Sequence, residues 1–321
     1  MRITVVVHGW LPNLAAGSER AMLELCRALR DAGHTITVHA LDERTGVREY
    51  EGMRVVGRPM PGVNLLTTPD LYLHHHGPAA GWVRHRMRSH GPVPHVTYLH
   101  NERYNITQIL FSQPDMVIHN TYWVRKAITA EYGDEFTGPV LHPPLDYDRH
   151  HVDDHGDRVL LSNLQTNKGV ELFAKLAAMC PEIPFLGLRG THGEQDYYSE
   201  PNLINLPPVD DMRGIWRQTG VCLMLSEYES YGMIAAEACA SGIPVLSVDH
   251  IPGPREALGN AAVYLPRHDT DAWAAELRRL KTDRDYYAAR SVAALRRARF
   301  LGHRSQIELK TVVQQIEGLV P

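Results

Sequence analysis

Residues Ile3 to Val7 form a short β-branched run, and beyond a loop from His8 to Gly17 the residues Ala21, Met22, Leu25, Cys26 and Leu29 recur at helical spacing. Ser18 is expected to cap that helix with Glu19 in its first turn, and Gly33 to close it before Thr35-Ile36-Thr37-Val38 opens the next strand. A strand, helix and strand of this length imply a parallel sheet with a right-handed crossover. Further strands are expected at 53–56, 71–73, 95–99 and 115–119, with helices at 79–88 and 121–132. Between Gly138 and Asp146 the adjacent Pro143 and Pro144 read as a semi-rigid linker, and the domain boundary is placed there. The rhythm then restarts, with strands at 158–162, 184–188, 203–206, 221–225 and 244–248 and helices at 169–179, 210–218, 233–241 and 271–281. Two successive doubly wound α/β halves follow. Ligands in such sheets sit at the carboxyl ends of the strands, and a pair of such domains creates a cleft.

A length of 321 residues fits two domains with cores of their own. With 44% hydrophobic and 22% charged residues and a net charge of −4, the chain is an ordinary globular protein with no nucleic-acid partner written in its charge. Cys26, Cys180, Cys222 and Cys239 form no C-x-x-C pair, so neither a zinc knuckle nor a redox motif is present, and four free thiols fit a cytoplasmic location. The N-terminal apolar stretch is too short for a signal peptide, and no run reaches the roughly 18 apolar residues of a spanning helix. Residues 278–310 hold ten Arg or Lys against Asp283, Asp285 and Glu308, a local balance of +7. The plain reading is a solvated helical face whose apolar side, Trp273, Leu277, Leu280, Val292 and Leu295, packs on the body. A second expectation is weak peripheral contact with an anionic membrane, with Arg84, Arg86 and Arg88 contributing.

The most informative stretch runs from Ser226 to Val245. A buried strand ends at Leu225, a polar loop follows, and a helix rich in small residues begins near Gly232. Free N–H groups at such a helix start suit a diphosphate. Glu229 lies in the loop and Glu237 inside the helix, so one carboxylate can face a sugar while the other accepts both hydroxyls of a ribose, although two glutamates at this spacing, standing alone, equally fit solvated surface positions.

Glu229 to Glu237 is also an E-x7-E arrangement, and its surroundings, Glu229-Ser230-Tyr231-Gly232, the small helical residues and Gly242-Ile243-Pro244-Val245, resemble the retaining glycosyltransferases of GT-B fold, sequence family four in particular. The similarity extends to the first strand and its loop to Gly17, to Val96-Thr97-Tyr98-Leu99-His100, to Asp115 through Thr121, and to Asn167-Lys168-Gly169. It implies two Rossmann-like domains facing each other across a cleft. The acceptor-side domain would span 1–143 and the nucleotide-sugar domain 144–300, with a C-terminal helix at 301–321 crossing back to the first.

Carried over, the resemblance gives Glu237 to the nucleotide ribose and Glu229 to the donor-sugar hydroxyls, with Lys168 and the amides of Tyr231, Gly232 and Met233 on the diphosphate. His100 would lie near the donor sugar, Gly17 would let backbone approach phosphate, and Gly190 and Pro208-Val209 would line the base pocket. Glu229, His100 and Lys168 are the catalytic candidates. Two departures stand out. The Arg that usually precedes the Lys is replaced by Asn163 in Ser162-Asn163-Leu164, with Arg189, Arg255 or Arg20 as substitutes, and the paired glycines of the first loop are Ala16-Gly17.

Other signals are weaker. D-x-D occurs at Asp146–Asp148, Asp269–Asp271 and Asp283–Asp285, none after a clear buried strand, so no metal is expected. Adjacent residues in a strand point to alternate faces, so His74, His75 and His76 are not expected to ligate one ion together. The loop from His8 to Gly17 has no G-x-G-x-x-G, which argues against a dinucleotide dehydrogenase, and no G-x-S-x-G elbow supports a serine hydrolase. The expectation is a metal-independent, cofactor-free retaining transferase using a nucleotide-diphosphate sugar and an unidentified acceptor. A sugar-nucleotide epimerase of related fold and a non-catalytic sugar-nucleotide-binding protein are the alternatives.

Overall fold

The computed structural model describes residues 1–14, 16–58, 68–191 and 193–320, so Ala15 of the first loop and Pro321 lie outside it. The chain divides into two compact units, Met1–Pro144 with Ser305–Pro321, and Leu145–Arg304.

The first unit runs β1 (Arg2–Val7), α1 (Gly17–Asp31), β2 (Thr35–Ala40), β3 (Val47–Tyr50), β4 (Met53–Val56), β5 (Leu71–His74), α2 (Gly77–His90), β6 (His95–Leu99), α3 (Ile106–Leu110), β7 (Met116–His119) and α4 (Tyr122–Tyr132). Among the described residues its seven strands are ordered β3-β4-β2-β1-β5-β6-β7, all parallel except the β3/β4 hairpin. β1 sits in the middle and is buried from Ile3 onward, as expected for a β-branched strand covered on both faces. Its pairing with β5 sets Val6 beside His74. Leu25, Leu29 and Val38 join one core with Val312, Val313 and Ile316 near the C-terminus.

The second unit contains α5 (Tyr147–His150), β8 (Arg158–Ser162), α6 (Val170–Met179), β9 (Phe185–Leu188), β10 (Leu203–Leu206), α7 (Arg213–Trp216), β11 (Thr219–Met224), α8 (Met233–Ala240), β12 (Val245–Val248), α9 (Pro252–Leu258), β13 (Ala262–Leu265) and α10 (Thr270–Thr282). Among the described residues its six strands are all parallel in the order β10-β9-β8-β11-β12-β13. The final helix, α11 (Arg284–Glu317), is continuous, and its residues up to Arg304 belong to this unit. The mixed α/β architecture with two largely parallel sheets is therefore present.

Several local expectations are corrected. Helix α1 starts at Gly17 with Ala16 at the N-cap, and Ser18 sits inside its first turn, its hydroxyl donating to Glu19 Oε2 at 2.9 Å. The helix expected at 210–218 shrinks to a single turn, α7. Trp273, Leu277 and Leu280 are buried, but Val292 is exposed, because the inward stripe of α11 is Ala294, Ala298 and Leu301. The β3 hairpin strand, α3, α5, α9 and β13 have no counterpart among the elements expected from the sequence. The four cysteines are free and buried.

Candidate functional site

In the second unit the carboxyl ends of β8 and β11 bring the candidate residues together. After β8, Asn163 turns the chain at φ 72°, its amide donating to the Leu188 carbonyl at 2.8 Å. A single-turn helix over Thr166–Lys168 then leads to Gly169, whose left-handed φ of 87° and ψ of 29° start α6. A Cβ at Gly169 would lie 2.6 Å from the Leu225 carbonyl oxygen, so this turn admits only glycine against the end of β11. The Glu227 amide donates to the Asn167 carbonyl at 2.9 Å and ties the polar loop to the same turn. Lys168 Nζ consequently reaches Glu229 Oε2 at 2.8 Å. The pair is partly open to solvent.

The loop ends at Gly232, left-handed at φ 98°, which serves as N-cap of α8. The first amides of a helix have no intrahelical acceptor, so the start of α8 presents N–H donors and positive potential beside Glu229. Tyr231 is buried, and its hydroxyl accepts from the Arg304 guanidinium at 2.9 Å. Met233 is half-buried. Glu237 is buried among the small residues Ala235, Ala236, Ala238 and Cys239, which let α8 lie close to the sheet. Its Oε2 lies 3.7 Å from His150 Nδ1. Ser241 Oγ locks that histidine's turn by donating to the His150 carbonyl at 2.8 Å and accepting from the Val152 amide at 3.0 Å.

Gly190 and Asn163 form one construction. Gln195 Oε1 accepts from the Gly190 and Leu164 amides at 2.8 and 2.9 Å, and its Nε2 donates to Asn163 Oδ1 at 3.2 Å. Val209 is half-buried against the core under α8, while Pro208 is exposed. Of the suggested substitute cations, Arg255 Nε donates to the Asp249 carbonyl at 3.0 Å with its guanidinium over Tyr264, and Arg189 lies over Tyr197. Burial is the main cause raising the Tyr264 hydroxyl to about 12.

In the first unit Gly17 is the exposed first residue of α1. His100 follows β6, with its ring 4.2 Å from that of Tyr98 and its carbonyl accepting from Asn120 Nδ2 at 2.8 Å. Burial lowers its pKa to about 3, which leaves a neutral imidazole near pH 7. Arg20 also belongs to this unit. Among the described residues, none of the three D-x-D pairs belongs to a converging group of three ligands. His150 and Gln195 escaped sequence reading because their contacts depend on tertiary placement, and neither carries a motif.

Residues 200–297 match the family model described as glycosyl transferases group 1. The chain is 34% identical over 97 residues to a D-inositol 3-phosphate glycosyltransferase of Thermobispora bispora, a match covering 30% of this chain and 22% of that protein. Among solved structures, sucrose-phosphate synthase from Thermosynechococcus elongatus superposes with a TM-score of 0.79 at 15% identity, covering 99% of both chains. Anabaena HepE in complex with UDP superposes at 0.77 with 16% identity and 99% of both chains covered. HepE in complex with UDP-glucose gives 0.77 at 15% identity, over 97% of this chain and 99% of that one. These likenesses establish the fold, GT-B.

Proposed function

We propose that this chain, a GT-B protein carrying the group 1 glycosyl transferase signature over residues 200–297, is a retaining glycosyltransferase that takes its sugar from a nucleoside-diphosphate donor. The observation that carries the reading is the convergence of Lys168, Glu229 and the amide-bearing start of α8 within one turn of the buried Glu237. A cation and oriented N–H groups stabilise charge on a leaving diphosphate. A carboxylate one turn into the helix accepts two ribose hydroxyls, and Glu229 serves the sugar.

In this reading the bond between the anomeric carbon and the diphosphate oxygen breaks while the acceptor oxygen bonds on the same face. The acceptor's proton passes to a phosphate oxygen, so no protein nucleophile is needed. Asn163 and Gly190, held by Gln195, together with Val209, form the base side. Gly17 and His100 carry the roles the resemblance gives them. The two HepE complexes hold UDP and UDP-glucose, which makes uridine nucleotides the first donors to test. A reaction on nucleotide sugars also suits the cytoplasm.

The test is a thermal-shift panel of UDP, GDP, TDP and ADP sugars, followed by NMR of the preferred donor with and without acceptors. Ligand at 100 times Kd adds about 2.7 kcal/mol to stability. The reading expects one nucleotide class to raise the Tm and donor consumption to depend on acceptor. Absence of a shift with every nucleotide, or turnover of the donor alone into an epimer, overturns it.

A further inference from the structure

In the first unit, three side chains from separate segments converge where β1, β5 and α1 meet. His8 follows β1, Glu19 lies in the first turn of α1, and His75 follows β5. His8 Nε2 and His75 Nε2 each lie 3.6 Å from Glu19 Oε1, and one ligand atom from each residue falls within 4.8 Å of the others. A tetrahedral ion with bonds of about 2.0–2.1 Å holds its ligand atoms roughly 3.3–3.4 Å apart, so the two histidine-to-carboxylate spacings need adjustments of only a few tenths of an ångström. These separations are too long for hydrogen bonds and right for two atoms sharing a cation.

His75 makes the case stronger. Its side chain is 2% exposed, and among the described residues neither ring nitrogen has a hydrogen-bond partner. Leaving a buried polar atom without a partner is costly, and that cost is removed when the atom ligates an ion. Glu19 is fully buried, and its second oxygen accepts from Ser18 Oγ at 2.9 Å, which orients the carboxylate toward the histidines. The His8 ring stacks on that of His75 at 5.8 Å.

We infer that the first unit binds one divalent transition-metal ion of the zinc class through His8, Glu19 and His75. Two imidazoles and a carboxylate are a borderline donor set that favours zinc over magnesium or calcium, and three protein ligands leave a position open. Of the three adjacent histidines only His75, just beyond the end of β5, belongs to the ligand set. His74 stacks instead on His95 at 5.7 Å. The ligand set joins segments sixty-seven residues apart, which no spacing motif could show. The cluster adjoins residues that the proposed function uses, since the His75 ring lies 5.2 Å from that of His100 and Glu19 is in the same first turn as Gly17, but zinc binding is measured without donor or acceptor.

The full chain, without an affinity tag and dialysed against a chelator, is titrated with zinc chloride and, in parallel, magnesium chloride. One zinc per chain at micromolar affinity or tighter, with no magnesium binding, is expected. His75→Gln and Glu19→Gln should weaken zinc by about 100-fold and tenfold respectively, while His250→Gln, at an exposed histidine of the second unit, leaves it unchanged. Circular dichroism and the metal-free Tm establish that each variant is folded. X-ray absorption of the wild-type zinc complex decides the matter without variants: a shell of two imidazoles and a carboxylate oxygen supports the site. A different shell, equal zinc affinity in the folded ligand variants, or no binding by the folded wild type overturns it.

Discussion

Lys168 Nζ donates to Glu229 Oε2 at 2.8 Å, joining two residues sixty-one apart in sequence at the mouth of the α8 helix. Both side chains are partly exposed, so the pair contributes little to stability, about 0–1 kcal/mol. Its value is positional. Lys168→Ala should therefore leave the Tm nearly unchanged while weakening binding of the preferred nucleoside diphosphate by about tenfold or more, the loss of one charge-assisted contact. Isothermal titration calorimetry against both proteins measures this directly, and equal affinities would remove Lys168 from the diphosphate.

Glu229 and Glu237 should separate by ligand. Glu237→Ala removes the proposed ribose acceptor and is expected to weaken both the free diphosphate and the sugar donor, by roughly 10–100-fold. Glu229→Ala should leave the diphosphate affinity within about threefold and lower turnover instead, since its partner is the sugar. The measurement is paired Kd and kcat values for both variants. Identical losses in both would mean that the two carboxylates do not divide the donor as proposed.

The positions of most parallel strands were legible because buried β-branched runs bounded by turns stand out, and the helix after Glu229 because a run of small helix formers follows Gly232. Lys168 enters as a candidate only through the resemblance of Asn167-Lys168-Gly169, whereas Glu229 and Glu237 are also suggested by their places in the loop and in the helix that follows. The edge strand β3, Val47 to Tyr50, alternates exposed and half-buried positions with charged residues, so it resembled a loop. Val292 lies at helical spacing from other apolar residues, yet α11 turns its alanines inward, and no periodicity distinguishes a small-residue stripe from a large one. The Gln195 bridge between Asn163 and Gly190, and the meeting of His8, Glu19 and His75, depend on tertiary contacts that a linear pattern does not contain.

Gly169 is where backbone geometry and site geometry depend on each other. Its φ is 87°, and a Cβ added there would meet Leu225 Cβ and the Leu225 carbonyl oxygen at 2.5 and 2.6 Å, so alanine must both strain the turn and push β11 away. Gly169→Ala should cost about 2–4 kcal/mol in urea unfolding. Donor affinity should fall as well, because the displaced turn carries Lys168. A variant with wild-type stability would show that the turn relaxes without cost.

His119 makes the first unit sensitive to acid. It ends β7, its Nε2–H donates to the Phe136 carbonyl at 3.0 Å, and burial is the main cause lowering its pKa to about 4. His39 is lowered for the same reason. The unfolded imidazole keeps a value of about 6.5, so the folded pKa lies below the unfolded one. The stabilisation is therefore complete above roughly pH 6.5 and is lost as pH falls toward about 4, because the unfolded chain binds a proton that the folded chain refuses. His119 contributes a slope of about 1.4 kcal/mol per pH unit in that window, or roughly 3 kcal/mol across it. Urea unfolding of the intact chain at a series of pH values between these limits should show stability falling with acid. In His119→Phe, whatever its absolute stability, the slope should be shallower by up to one proton; parallel slopes would place the acid sensitivity elsewhere.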